Sequence, residues 1–463
     1  MAQYKTPNVY VKELSTLPAS VAEVATAIPA FIGYTELVTD KDDENKSLIG
    51  KPIRITSLSE YEESFGGPYA EAITVKQNPV SEEFYIPETE ETALAQFFLY
   101  QAVQHFFANG GGACYIVSTG DYSGEVVDTD FDLAVLEKVD EVTLFVMPET
   151  VHLSEELHYG LHKTALTQAS KLMDRFAVTD VKQLSVLDGN IADDSASMRD
   201  NLAGELNELK YGATYYPYVR TTIARHYTDD TVTIEYADER VGGDPQTLAD
   251  LYEESTAQYN EIVALLRQNY LILPPSAAVA GCMAKTDTSR GVWKAPANVA
   301  LSQVLEPMVS IDNSQQENLN VDVTAGKSVN AIRTFVGKGT LIWGARTLAG
   351  NDLEWRYVSV RRFFNMVEES LQKSTAFAVF EPNTAITWLK LKTMTENYLR
   401  TLWQQGALMG SSEDQAFFVQ VGLGESMTEQ DILEGIMRIN IGLAATRPAE
   451  FIELTFQHKS LES

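Results

Sequence analysis

"LAQFFLYQAVQHFFANGGGACYIVS", residues 94–118, decides the fold. Its first part carries apolar residues at helical spacing, the glycines at 110–112 stop that helix, and "ACYIVS" follows as a short buried strand. The pattern then repeats. "VTLFVMPE" (142–149) reads as a strand, "EELHYGLHKTALTQASKLMDRF" (155–176) as a long helix, "KQLSVLDG" (182–189) as a strand and "MRDNLAGELNELKYG" (198–212) as a helix. Strands separated by helices predict a mostly parallel sheet with both faces covered. "ATYYPYVRTT" (213–222) and "TVTIEYAD" (231–238) continue as strands, and a long helix is expected within 246–270.

Upstream, "VAEVATAIPAFIGYTEL" (21–37) suits a buried strand ending near Gly33 and Tyr34. Residues 36–92 are acidic and read as a surface insertion holding a short strand, "IRIT", and a short helix whose Ser57 and Glu60 have capping-box spacing. Past residue 300 the texture becomes β-rich, with amphipathic helices in 358–373 and 385–408. Both ends read as strands. Val9 and Val11 alternate with Tyr10 and Lys12 in "YKTPNVYVKELST" (4–16), and Ile452, Leu454 and Phe456 alternate with polar residues in "PAEFIELTFQHK" (448–459). No hairpin turn follows the first of them, so its backbone groups need a partner elsewhere.

The chain has 463 residues, and 35 Lys+Arg against 65 Asp+Glu give a net charge of −30, which argues against broad contact with nucleic acid or an anionic membrane surface. Cys114 and Cys282 sit in apolar stretches and are expected as buried reduced thiols rather than a disulfide. The opening residues lack the apolar core of a signal peptide, and "LILPPSAAVAGCMA" (271–284) is too short and proline-broken to cross a bilayer.

A wound sheet invites an enzyme reading, but each candidate motif departs from the pattern its chemistry needs. "NGGGACYIV" places its glycines between helix and strand, the reverse of a phosphate-cradling loop, and "FVGKGT" lacks the spacing and the hydroxyl residue of a P-loop. His158 and His162 are spaced i, i+4 and could hold zinc, yet no third ligand stands out. Ser426 lies outside a nucleophile elbow, and the carboxylates are too many for one pair to be chosen as acid and base. The expectation is no enzyme, no cofactor and no metal.

At "SRGVWKAPANVALSQVLEP", residues 289–307, the chain resembles the tail-sheath proteins of contractile bacteriophages and related contractile injection systems. "TPNVYVKEL" is similar to the family's amino-terminal pattern, with Asn8 where glycine is usual. The segments 330–372, 380–410 and 447–457 follow the family's carboxy-terminal domain, while 53–68 and 417–432 look most like sheaths of extracellular, phage-tail-like injection systems.

The resemblance implies a multidomain α/β and α+β fold: a subtilisin-like wound middle domain without a catalytic triad, an α+β carboxy-terminal sheath domain, and exchanged terminal β-strands. The corresponding boundaries are 1–35 for the amino-terminal arm and strand, 36–92 for the acidic insertion, 93–305 for the middle domain and 306–463 for the carboxy-terminal domain with its arm. It implies a subunit that polymerises helically around an inner tube in a metastable extended state and contracts to drive the tube through a membrane. Its partners would be itself, the inner tube protein, baseplate and tail-terminator proteins, and paralogous sheath subunits, without nucleic acid or direct membrane insertion. Assembly would occur in the bacterial cytoplasm, in a phage tail or a particle later released. Val9, Tyr10, Val11 and Lys12 would form one inter-subunit arm and Ile452, Leu454 and Phe456 the other. On the helix of 358–373, Val360, Phe364, Val367 and Leu371 mark a packed line, which leaves Arg361, Arg362 and Asn365, with Arg356 nearby, for acidic tube residues or for ordinary internal ion pairs. Trp293, Pro296 and Asn298 are expected at a domain junction: a buried ring, a chain stop and a backbone-bonding amide, in preference to a cofactor pocket. The rival readings are a baseplate or tail-terminator protein with a sheath-like fold, or a subtilisin-like hydrolase.

Overall fold

The computed structural model describes residues 21–43, 45–237 and 246–454. Among them the chain forms two compact units, one of residues 25–366 with 447–454 and one of 21–24 with 367–446.

The larger unit is built on a nine-stranded sheet. Its centre is parallel: Cys114–Ser118, Pro29–Gly33, Leu144–Val146, Phe176–Asp180, Gly212–Tyr216 and Val329–Phe335 lie side by side in that order. Both edges are antiparallel and short, Ile53–Ile55 against Cys114–Ser118 on one side and Val299–Ala300 against Gly339–Ile342 on the other. The period-2 alternation of these strands fills two cores. Phe31, Ile116, Val146, Phe176 and Tyr215 pack with Leu99, Phe106 and Met283 from the helices Leu99–Ala108 and Ser276–Arg290. Ala30, Ile32, Phe145, Ala177 and Tyr216 pack with Tyr159, Leu166 and Met198 from Glu155–Leu172 and Ile191–Asn201.

The opening stretch folds as read. Helix Leu99–Ala108 ends where the amides of Gly110 and Gly111 bond the carbonyls of Phe107 and Phe106, with Gly110 at φ 97°. Gly281 faces that helix so closely that a Cβ there would collide with the Phe106 carbonyl, which is why the two helices can pack backbone to backbone.

Several boundaries differ from expectation. The helix expected over 155–176 stops at Leu172, where Met173 turns left-handed at φ 60°, and Phe176–Asp180 becomes a central strand. Residues 182–189 form no strand: the helical reading runs one residue into the true strand, to Phe176, and passes over 177–181, so the strand is expected one segment late. The helix expected within 246–270 is two, Leu248–Glu254 and Thr256–Leu266, separated at the extended Ser255. The stretch 36–92 is shared between two sheets rather than set apart. Ile53–Ile55 and helix Leu58–Phe65 join the main body, with Tyr61 and Phe65 fully buried. Ile73–Gln77 and Phe84–Tyr85 enter a four-stranded sheet with Val232–Glu235 and Gln246–Thr247, whose core includes Val75, Ile234, Leu248 and Ile262. The capping box is only half made: Ser57 Oγ accepts from the Glu60 amide, but Glu60 accepts from Thr56 instead of Ser57.

The smaller unit holds the helix Ala385–Gln404, with Leu391, Met394, Leu399 and Leu402 buried, and an antiparallel ribbon of Phe417–Gln420 and Asn440–Leu443 in register from Phe417–Leu443 to Gln420–Asn440. Its residues 22 and 24 donate their amides to Ser374 and Ser370 on the helix Val358–Thr375. No helix among the described residues is long and apolar enough to cross a membrane.

Candidate functional site

The two histidines that could have held a metal are sealed in the core, while Ser426 is only part-buried and the 337–339 turn is exposed. His158 and His162 are fully buried with rings 4.4 Å apart. His158 Nδ1 lies 3.0 Å from Thr150 Oγ1 and its Nε2 3.1 Å from the Asp180 carbonyl, so both nitrogens are spent on structural bonds. Burial pushes His158 down to about 4, which keeps the ring neutral. Asp180 and Ser276 come together at the start of helix Ser276–Arg290, yet the carboxylate accepts the Ser276 amide at 2.9 Å and His158 meets only the Asp180 backbone, so no charge-relay arrangement exists here. No group of three or more His, Cys, Asp or Glu able to hold a metal occurs among the described residues.

Two of these buried acids leave a measurable trace. Burial raises Glu149 and Asp180 to about 7, against the pull of the amides that donate to them: Tyr34, Phe98 and Leu99 on Glu149, Ser276 on Asp180. The folded chain therefore keeps an Asp180 proton that the unfolded chain releases near pH 4. Its contribution to stability is full below that pH and is lost as the pH rises through about 7. Asp180→Asn keeps the Ser276 bond and removes this titration. By calorimetry the variant should melt several degrees above wild type at pH 8 and close to it near pH 4; equal destabilisation at both would refute the assignment.

The helix Val358–Thr375 does not divide into a packed line and a free basic face. Val360, Val367 and Leu371 are buried as expected, but Arg361, Arg362 and Asn365 are buried too, at 2%, 3% and 5% exposure. The Arg361 guanidinium lies over Trp355 at 4.3 Å and Tyr211 at 4.8 Å from the ring centroids, and its Nε donates to Asn365 Oδ1 at 2.8 Å. Arg362 forms a forked pair with Asp287, Nη1 to Oδ1 at 3.1 Å, and donates to the Thr26 carbonyl at 2.7 Å. Asn365 donates to the Arg175 carbonyl at 3.1 Å, and half-buried Arg356 donates to the Gly350 carbonyl at 3.0 Å. In this structure the internal ion pair holds Arg362 inside its own subunit.

At the expected junction, Trp293 is half-buried, edge-on to Phe363 at 6.3 Å, and folds back over Gly291. Pro296 is buried. Asn298 adopts φ 57° and donates its amide to the Ile342 carbonyl at 2.8 Å, which starts the edge strand Val299–Ala300; its bonding is by backbone, and asparagine suits the left-handed turn.

Val9, Tyr10, Val11, Lys12 and Phe456 lie outside the described residues. Ile452 and Leu454 are described and form no strand; with Phe451 they are 75%, 79% and 73% exposed in the order Phe451, Ile452, Leu454. What precedes them is fixed. The Glu450 carboxylate accepts from Arg346 Nε and Nη2 at 2.9 and 2.8 Å, from Asn320 Nδ2 at 2.7 Å and from the Tyr357 hydroxyl at 3.0 Å. Despite partial burial, these donors hold Glu450 below the usual carboxylate range. Sequence reasoning missed all four residues, because one acid among 65 carries no local signal of a partner about a hundred positions away.

The geometry therefore offers an exposed apolar tail on a fixed root. The comparisons with known proteins agree. Residues 351–459 match the phage tail sheath C-terminal domain. Over 180 residues the chain is 26% identical to the tail sheath protein of Enterobacteria phage T4, and over 137 residues 23% identical to that of Vibrio phage KVP40. These stretches cover 25% and 20% of the phage proteins, so the chain spans a quarter or less of the phage relatives it matches. The decisive likeness is end to end: the PVC sheath complex of an extracellular contractile injection system, in its contracted state, is 32% identical over 99% of both chains with a TM-score of 0.66. The chain belongs to the sheath proteins of contractile injection systems. Another similar sheath structure, the helical sheath of the anti-feeding prophage in its contracted state, is 30% identical over 98% of this chain and 100% of that one, with a TM-score of 0.66. The similar proteins are sheath proteins, and a wound fold does not by itself bring chemistry with it.

Proposed function

We propose that this chain is the repeating subunit of a sheath that polymerises helically around an inner tube, is held extended, and contracts to drive the tube through a target membrane. The observation that carries the reading is the end-to-end likeness to sheath subunits in contracted particles. The wound sheet is then the family's subtilisin-like middle domain in a non-catalytic form, and the chain acts without cofactor. Baseplate and tail-terminator proteins, and any paralogous sheath subunits, are the further partners of such a polymer, which assembles in the bacterial cytoplasm.

Self-assembly would proceed by strand exchange. The exposed tail at 451–454 carries three apolar residues, Phe451, Ile452 and Leu454, and has no partner strand within the described residues of its own subunit, while among those residues the ribbon of Phe417–Gln420 and Asn440–Leu443 has two strands. A two-stranded ribbon is marginal alone and gains from added strands, and strand addition draws its affinity from main-chain bonds. Val9–Lys12 would supply the second arm.

Tube attachment is better served by the start of helix Ala385–Gln404 than by the buried arginines. Ile386 and Leu389 are 82% and 65% exposed there, beside the exposed Lys390 and the half-exposed Lys392, and exposed apolar surface rimmed by charge suits a protein partner.

Electron microscopy of the expressed chain tests both levels. Striated hollow tubes are expected, and compact monodisperse particles would sink the sheath reading. When the inner tube protein is co-expressed, Lys390→Glu with Leu389→Asp should leave sheaths that lack a tube; filled sheaths would reject the attachment face alone.

A further inference from the structure

The root of the carboxy-terminal tail is tied to the central sheet by a continuous set of polar contacts. We infer that Glu450 is a positioning residue for self-assembly: it anchors the tail to its own sheet while Phe451, Ile452 and Leu454 reach a second copy of the chain. The inference rests on the strand-exchange reading above and adds to it the device that fixes where the arm begins.

The contacts run in order. Glu450 is held by four donors from Arg346, Asn320 and Tyr357, and the planar guanidinium meets the carboxylate with two of them, which fixes direction as well as distance. Arg346 is 3% exposed, donates also to the Asn320 carbonyl at 3.2 Å and the Gly350 carbonyl at 3.4 Å, and pairs with Tyr357 in an isolated antiparallel bridge. Its backbone is clasped by Asn330, whose Oδ1 accepts the Arg346 amide at 2.8 Å and whose Nδ2 donates to the Arg346 carbonyl at 2.8 Å and to the Thr214 carbonyl at 3.1 Å. Asn330 belongs to strand Val329–Phe335 and Thr214 to Gly212–Tyr216, adjacent parallel strands of the nine-stranded sheet. Gly344 faces Asn330 so closely that a side chain there would strike it, so the clasp has no slack.

One residue beyond Glu450 the situation reverses, and the next apolar side chains stand in solvent. The boundary between fixed and free chain thus falls at a single carboxylate. Pull applied to the distal tail by a neighbouring copy is carried through Glu450 and Arg346 into the sheet, and the tail leaves each subunit from one place in one direction. That regularity is what a polymer with repeated arm contacts requires, because an arm already aimed loses less freedom on binding.

The test uses the full chain with labels at Val323→Cys and Ile452→Cys; the native Cys114 and Cys282 are fully buried. Dipolar spin-label spectroscopy reads the spread of the distance between them, melting reads the fold, and electron microscopy reads the concentration at which tubes form. In Glu450→Gln the distance distribution should broaden, and tubes should need on the order of tenfold more protein, the loss expected from weakening charge-assisted bonds. Arg346→Met with Glu450→Met removes both charges together, so no buried charge is left unpaired if the single variant folds poorly. It should keep its melting temperature near wild type and show the same broadening and the same assembly defect. An unchanged distribution in the folded variants, or tubes at the wild-type concentration despite a broadened one, would overturn the inference. If the unmutated chain formed no tubes, the sheath reading would fail on its own, while the distance measurement would still judge the anchor.

Discussion

Arg362→Ala is expected to destabilise the larger unit by roughly 3–5 kcal/mol, the cost of leaving one partner of a buried ion pair alone. Asp287 would keep the Thr26 hydroxyl at 2.6 Å but lose the guanidinium that neutralises it, at a site where the two side chains are 3% and 7% exposed. For a body of this size the melting temperature should fall by about 10 °C in calorimetry. Arg362→Met with Asp287→Met should recover most of the loss, since an apolar pair avoids the desolvation that the ions had to overcome. A single variant that melts with wild type would return Arg362 to the role of a surface group available to a tube.

The second large effect concerns the tail. Removing residues 451–463 should leave a folded subunit, because Phe451, Ile452 and Leu454 are mostly solvent-exposed and their loss uncovers little core. Polymerisation should be lost. At about 1 kcal/mol net per backbone bond, a few bonds per arm amount to several kcal/mol, which corresponds to a drop in affinity beyond a hundredfold. Sedimentation of the truncated chain should find monomer at concentrations where the full chain gives tubes, and deletion of residues 1–16 should behave alike. A truncated chain that still built tubes would show that the arms are not the mesh.

How much of this was legible differs from element to element. The alternation that begins at residues 94–118 is a local signal, and the parallel sheet with two covered faces follows from it. Phe176–Asp180 was hidden because the apolar periodicity of the preceding helix ran on into it, and the left-handed Met173 that ends the helix is a residue without a turn signature. The stretch 36–92 looked peripheral because it is acidic, yet Tyr61, Phe65 and Val75 sit fully buried between its charges. Arg361 and Arg362 were placed by helical geometry alone. That geometry names the side of a helix, and it cannot say that Trp355 and Asp287, distant or irregular in sequence, wait on the other side. Glu450 shows the same limit: its meaning lies in Arg346, Asn320 and Tyr357, which only folding brings to it.

The blunt edges of the nine-stranded sheet bear on how such a chain survives its own abundance. Ile53–Ile55 and Val299–Ala300 offer a neighbour three residues and two residues of open backbone, too little to nucleate a wrong ladder. A protein whose proposed task is to crowd against identical copies and join them by strands must refuse most of the strand pairings that crowding presents. The sheet does so by ending in stubs. Under the proposed strand exchange, this sheet would then leave traffic between copies to the tail and the two-stranded ribbon, and misdirected growth at its edges would be discouraged before any partner had been chosen.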